Sequence, residues 1–301
     1  MNRWRLVSCA TVLGLLQALV AGASTTENQV TIASWNVCNL GANTSVVTRA
    51  EVIRNFDIVA LQEVKSPEGL GRLLACVETL TGSDWDYVPS LLVGSGKAVE
   101  YYAFIYRTDR VAYVSGSSGT YPEALPTDFS REPFYATFRA GEFDFTLITV
   151  HITWSAFGSQ RTAECRRLRS VWDYVQNLDQ AEDDLILLGD FNRDRPTHSA
   201  FDQLWQMGLT PLLSASGTRT TFGRTLAGGS WYDNIWIDPT CTTTSELSGQ
   251  LGAGTPSLNS YGAGCSECLR GVSDHCPVWA TFRTDSDDDS SAQAPNPGLL
   301  G

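Results

Sequence analysis

Seven apolar runs of strand length punctuate the chain, at 30–35, 58–61, 101–106, 143–150, 185–188, 235–237 and 278–282. They do not alternate cleanly between apolar and polar residues, so strands covered on both faces are expected. Helical patterns lie between them at 44–56, 70–80 and 162–178, the last with Leu168, Val171, Trp172, Val175 and Leu178 on one stripe. Doubly buried strands interleaved with amphipathic helices predict a layered α/β domain.

The start of the chain reads differently. Arg3 and Arg5 precede an apolar run from Leu6 to Val20 and the small-residue site Ala21-Gly22-Ala23. A signal peptide over 1–23 is expected, with release to the cell exterior or the periplasm. The run is shorter than the roughly 20 residues a bilayer span needs, and polar Ser24 to Glu27 follow at once. Residues 24–284 suffice for one domain with a sizeable core. Two stretches are expected to be irregular: 240–264, rich in Ser, Thr and Gly, and a disordered tail over 285–301 that opens on Asp285-Ser286-Asp287-Asp288-Asp289.

A net charge of −12 opposes polyanions at long range, so binding nucleic acid would require local arginines and bound cations. Seven of the eight cysteines follow the leader. Export favours disulfides, and Cys265 with Cys268 is the expected surface-loop pair; Cys276, at the head of an apolar run, is the expected buried thiol.

The polar residues at the ends of the apolar runs carry the chemistry. Asn36 ends the first run, Glu63 follows the second, Glu100 precedes the third and His151 closes the fourth. Asp190 and Asn192 follow the fifth, Asp233 precedes the sixth, and Asp274 and His275 precede the last. If these ends share one rim, so many carboxylates cannot all stay ionised without a cation. Carboxylate and amide oxygens without thiolate suit magnesium, manganese or calcium. Phosphodiester hydrolysis needs a neutralised phosphate, a deprotonated water and a protonated leaving oxygen. His151 and His275 fall at the run ends, and Glu100 and Asp233 are the carboxylates expected to orient them. Each residue alone has an ordinary structural explanation, such as a capped turn at 189–192; their joint arrangement points to chemistry.

The segments SWN (34–36), LQEV (61–64), EYYAFIYR (100–107), FSREP (129–133), VHI (150–152), GDFN (189–192), YDNI (232–235) and SDHCPV (273–278) resemble, in order, the motif set of the endonuclease/exonuclease/phosphatase superfamily. Glu100 and Arg131 within FSREP make the likeness greatest to its deoxyribonuclease I-like secreted nucleases. The resemblance implies a four-layered α/β/β/α sandwich. It makes His151 with Glu100 and His275 with Asp233 two acid/base pairs, and Asn36, Glu63, Asp190, Asn192 and Asp274 ligands of metal or phosphate. Arg131, together with Asn192, would hold a backbone phosphate. The implied cofactor is Mg2+ or Mn2+, with a structural Ca2+ also open. The implied activity is cleavage of internal phosphodiester bonds of DNA, with RNA left open, by a monomer without stable membrane association. The sequence departs from that pattern at Ala98, where the family places a groove-stacking tyrosine, and at Lys65, where it places arginine. Two rivals remain: a phospholipid or inositol phosphate phosphodiesterase on the same scaffold, and a binding protein without catalysis.

Overall fold

A computed structural model describes residues 28–96, 98–122, 128–155, 158–213, 219–221, 229–243, 246–253 and 272–289. The expected leader and the Cys265–Cys268 pair lie outside the described residues. In chain order, β1 (Gln29–Leu40), α1 (Val47–Ile53), β2 (Ile58–Val64), α2 (Pro67–Thr81), β3 (Trp85–Pro89) and β4 (Tyr101–Arg107) come first. The short β5 (Ala112–Tyr113) and β6 (Gly119–Thr120) precede β7 (Phe134–Ala140), β8 (Phe143–His151), α3 (Gly158–Leu178) and β9 (Leu185–Asp190). Then follow α4 (Asp202–Gln206), β10 (Thr210–Pro211), β11 (Asp233–Ile237), β12 (Leu247–Ala253) and β13 (Val278–Arg283).

One sheet has the order β12-β13-β1-β2-β4-β3 and the other β10-β11-β9-β8-β7-β5, with β6 paired to β7. Between them lies a layer that includes Tyr102 and Phe104 from one sheet and Phe138, Phe143 and Phe145 from the other. The rings of Phe143 and Phe282 stack across it at 5.6 Å. Truncating one such phenylalanine to alanine costs about 3–5 kcal/mol. On the outer face of the first sheet, Trp35 and Leu61 pack with Leu73 and Val77 of α2. On the outer face of the second, Leu187 and Trp236 pack with Leu168 and Trp172 of α3. These are four layers, α/β/β/α, as the resemblance implies. The apolar runs are doubly buried because each sheet is covered by its counterpart on one side and by helices on the other.

Local signals account for the helices. Ser66 Oγ accepts the Gly69 amide at 3.0 Å and Pro67 opens α2, while Gly82 closes it at φ +67°. The stripe expected along 162–178 is the buried face of α3. Among the described residues, no helix is long and apolar enough to cross a membrane.

Two expectations of irregularity are corrected. Leu247–Ala253, inside the stretch expected to be irregular, is strand β12, because the edge of β13 offers backbone partners that its small-residue composition does not reveal. Asp285 to Asp289 are held against the sandwich. Asp285 accepts from Asn28 Nδ2 at 3.2 Å, Asp287 Oδ2 accepts the Asp144 amide at 3.1 Å, and Asp289 Oδ2 accepts the Asp183 amide at 2.7 Å. Backbone donors at the starts of β8 and β9 thus capture a charge run that composition alone assigns to solvent. The rest of the tail, from residue 290, lies outside the described residues.

The register collects the polar run ends. β8 and β9 are parallel and place His151 opposite Asp190; β11 is antiparallel and places Asp233 opposite Asp190. β1 and β2 are parallel and finish near Asn36 and Glu63. β4 and β13 run the other way, so Glu100 and His275 stand at their beginnings on the same rim.

Candidate active site

Two imidazoles face one carboxylate. His151 Nε2 and His275 Nε2 each lie 3.5 Å from Asp190 Oδ2. Behind them, His151 Nδ1 meets Glu100 Oε1 at 2.8 Å, and His275 Nδ1 meets both Asp233 oxygens at 2.9 and 3.0 Å. A carboxylate at Nδ1 fixes the proton there and leaves Nε2 to exchange protons with whatever enters the rim. Glu100, Asp190, Asp233 and both histidines are buried, so their charges interact with little screening.

The carboxylate pairs differ in their support. Burial alone would raise the Glu100 pKa, but His151, Arg131 and Lys65 outweigh it and hold the carboxyl down at about 2. Arg131 Nε lies 3.0 Å and Lys65 Nζ 3.2 Å from Glu100 Oε2. At His275, burial opposes the charged ring, and the carboxylates of Asp233 and Asp190 overcome it, raising the pKa. Burial pushes Asp233 up, with His275 pulling the other way.

The remaining predicted residues surround Asp190. Asn36 Nδ2 donates at 3.1 Å both to Asp190 Oδ2 and to Glu63 Oε1. The Asn192 amide donates to Asp190 Oδ1 at 2.8 Å, and its side chain donates to Ile152 O at 2.8 Å. Asp274 is exposed beside His275. Arg131, expected on a phosphate, directs its guanidinium inward: it pairs with Glu100 and donates from Nη1 to His151 O at 3.0 Å.

The backbone here is held in unusual shapes. Glu63 has φ +61° and Asn192 φ +47°, a region costly for residues with a side chain. Gly189 sits at φ +145°, and a Cβ there would meet Val150 O at 2.1 Å, so only glycine lets β9 lie beside β8 just before Asp190.

An all-oxygen donor set fits a hard divalent ion. Glu63 Oε1 and Asp190 Oδ2 converge on one small volume spanned by the Asn36 amide, and these are the residues that would hold it. Asp190, Asp233 and His275 also have ligand atoms within 4.8 Å of one another, but both Asp233 oxygens are engaged with His275 Nδ1.

Several supporting residues were not read from sequence. Tyr102 Oη accepts the His151 amide at 3.0 Å, and Ser273 Oγ accepts the His275 amide at 3.0 Å while donating to Asn36 O at 2.7 Å. Trp35 Nε1 donates to His275 O at 3.0 Å. Gln62 Nε2 bonds Ser34 on its own sheet and Thr149 on the other, locking the sheets together below the site. Trp35, Gln62, Tyr102 and Ser273 all sit within the quoted motifs, which is the available signal, although apart from its motif Tyr102 looks in sequence like any core tyrosine.

Known proteins resemble this chain in sequence and in fold. The family model described as Endonuclease/Exonuclease/phosphatase family matches residues 33–275. A deoxyribonuclease of Thioalkalivibrio sp. is 33% identical over 260 residues, covering 83% of this chain and 70% of that protein. Human deoxyribonuclease-1 is 29% identical over 243 residues, covering 74% and 83%. Among solved structures, an endonuclease/exonuclease/phosphatase family protein from Bacteroides thetaiotaomicron superposes with a TM-score of 0.55 at 19% identity, over 86% of this chain and 98% of that one. A match running from β1 to His275, on a fold of the same layers, places this chain in the endonuclease/exonuclease/phosphatase family.

Proposed function

We propose that this protein is a metal-dependent endonuclease that hydrolyses internal phosphodiester bonds of nucleic acid, with DNA as its main substrate, and that it acts outside the cytoplasm. One observation carries the reading: both imidazoles turn Nε2 to a single carboxylate oxygen, each backed by a buried acid. A binding protein has no use for two oriented proton carriers. One Nε2 takes the proton from the attacking water while the other gives a proton to the departing sugar oxygen, so the protons balance over the cycle. Glu100 and Asp233 hold the rings in place throughout. A bound Mg2+ or Mn2+ would supply charge neutralisation at the phosphate.

Support for nucleic acid comes from the relatives named deoxyribonuclease and from the surface near the rim. Trp154, three residues past His151, is 67% exposed. The guanidinium groups of Arg195 and Arg219 lie 5.0 and 5.2 Å from the centre of the Trp231 ring. An exposed tryptophan and exposed arginines suit bases and phosphates. The leader read over 1–23 supports export, and mature chains beginning at Ser24 are the expected product.

The test is nicking of supercoiled plasmid with Mg2+, with chelator, and with His151→Ala, alongside sphingomyelin hydrolysis. Nicking that needs metal and His151 is the expected result. Lipid hydrolysis without nicking would replace this reading with the phospholipid phosphodiesterase.

A further inference from the structure

The other end of β8 and β9 carries a second set of acids that the proposed chemistry does not use. Asp144 is the second residue of β8 and Asp184 immediately precedes β9. At about 3.3 Å per residue they stand roughly 20 Å from His151 and Asp190. With Glu182, Glu246, Asp287 and Asp289 they form three overlapping triads: Asp144, Asp287 and Asp289; Glu182, Asp184 and Asp289; and Asp184, Glu246 and Asp287. Within each triad, one oxygen per residue lies within 4.8 Å of the others.

Surface acids cluster often without consequence, but these are interior. Glu182, Asp184 and Glu246 are at most 1% exposed. Three residues anchor one oxygen and leave the other without a hydrogen-bond partner. Glu182 Oε1 accepts the Asp184 amide at 2.8 Å, Glu246 Oε2 accepts from Thr243 Oγ1 at 2.9 Å, and Asp289 Oδ2 accepts the Asp183 amide at 2.7 Å. Their partners Glu182 Oε2, Glu246 Oε1 and Asp289 Oδ1 are buried and unbonded, and so are both oxygens of Asp184. Arg139 pairs with Asp144 at 2.8 Å, among the described residues a single guanidinium against six carboxylates. A buried anion without a counter-charge is among the costliest groups a fold can hold.

We propose that this end of the sandwich is a calcium site, with Asp184 at its centre and Glu182, Glu246, Asp287 and Asp289 as further ligands, which fastens residues 285–289 to the domain. The donors are all oxygen, which disfavours zinc. Oxygens that lie within 4.8 Å of one another can share one ion, and many carboxylates from separate chain segments suit calcium's 6–8 flexible ligands better than magnesium's tight octahedron.

The test uses the full chain, stripped with chelator and titrated with CaCl2 or MgCl2 by calorimetry and by thermal melting. Saturable calcium binding should raise the melting temperature by roughly 5–10 °C at 100 times the dissociation constant, and magnesium should do so weakly. The doubly neutralised Glu182→Gln/Asp184→Asn chain should lose that response while melting, without calcium, no lower than wild type. Asp190→Asn should keep the response, since it alters the other end. The proposal is overturned by a wild-type chain that millimolar calcium neither binds nor stabilises. A calcium response lost in Asp190→Asn and kept in Glu182→Gln/Asp184→Asn would overturn it equally. Should the double variant not fold, the wild-type titration and Asp190→Asn still decide the matter.

Discussion

The two ends of β8 and β9 both bury acids, and they handle like charge in opposite ways. At the rim, each carboxylate has a cationic or amide partner: Glu100 has His151, Arg131 and Lys65, Asp233 has His275, and Asp190 has Asn36 with both imidazoles in reach. At the base, burial instead pushes Glu182 up to about 10 and Asp184 to about 8, whereas Glu100 is held down at about 2. A rim built from protein counter-charges keeps its form when ions exchange, which suits turnover. A base where, among the described residues, Arg139 alone faces six carboxylates is built to be filled and left filled.

The sharpest way to break this contrast is to remove an imidazole. His275→Ala should lower plasmid nicking by about 10²–10⁴-fold and leave the calcium-dependent melting shift in place; loss of both would mean that the ends are not independent. Next comes Gly189→Ala, which forces a side chain against Val150 O between the two central strands. It should destabilise the chain by roughly 3 kcal/mol and depress nicking by the remaining folded molecules, as read by denaturant melts beside activity. A fully active, stable variant would show that the strand spacing is not fixed by that glycine.

A smaller effect is expected from Glu100→Gln, about 10- to 100-fold in turnover. Its stability signature has a definite sign. Glu100 titrates near 2 when folded, below its unfolded value, so its contribution is complete above about pH 4.5 and disappears as pH falls toward 2. Melts in chelator should therefore show wild type and variant converging over that acid window. Parallel curves down to pH 2 would remove the charge support assigned to Arg131 and Lys65. The smallest change belongs to Asp184→Asn, which, so far from the rim, should leave turnover of the folded enzyme within about twofold. A large loss would couple the base to catalysis.

The layers and the rim were legible because burial on both faces forces unbroken apolar runs, and a polar residue that ends such a run stands at a strand terminus. Glu100, His151, Asp190 and His275 were readable on those grounds. Strand β7, with Thr137 and Arg139 inside it, and β12, with three small or polar residues after Leu247, carry weak patterns and are fixed by the neighbours that pair with them. The base site was hidden for a similar reason. Asp144, Glu182, Glu246 and Asp287 are widely separated in sequence, and only the starts of β8, β9 and β12 with the exit of β13 bring them together. Arg131 was read as a hand for phosphate; its contacts with Glu100 and His151 depend on a loop geometry that its neighbours in sequence do not disclose.

The pairing of Gln29 with Arg283 joins the opening strand to the closing one. A ribosome building this chain cannot complete that sheet until residue 283 has emerged. Early segments must wait with an exposed edge, a topology that favours slow, late and concerted acquisition of the native state. Such delay keeps the rim unassembled until then, since His275 is delivered just ahead of β13, the last strand among the described residues.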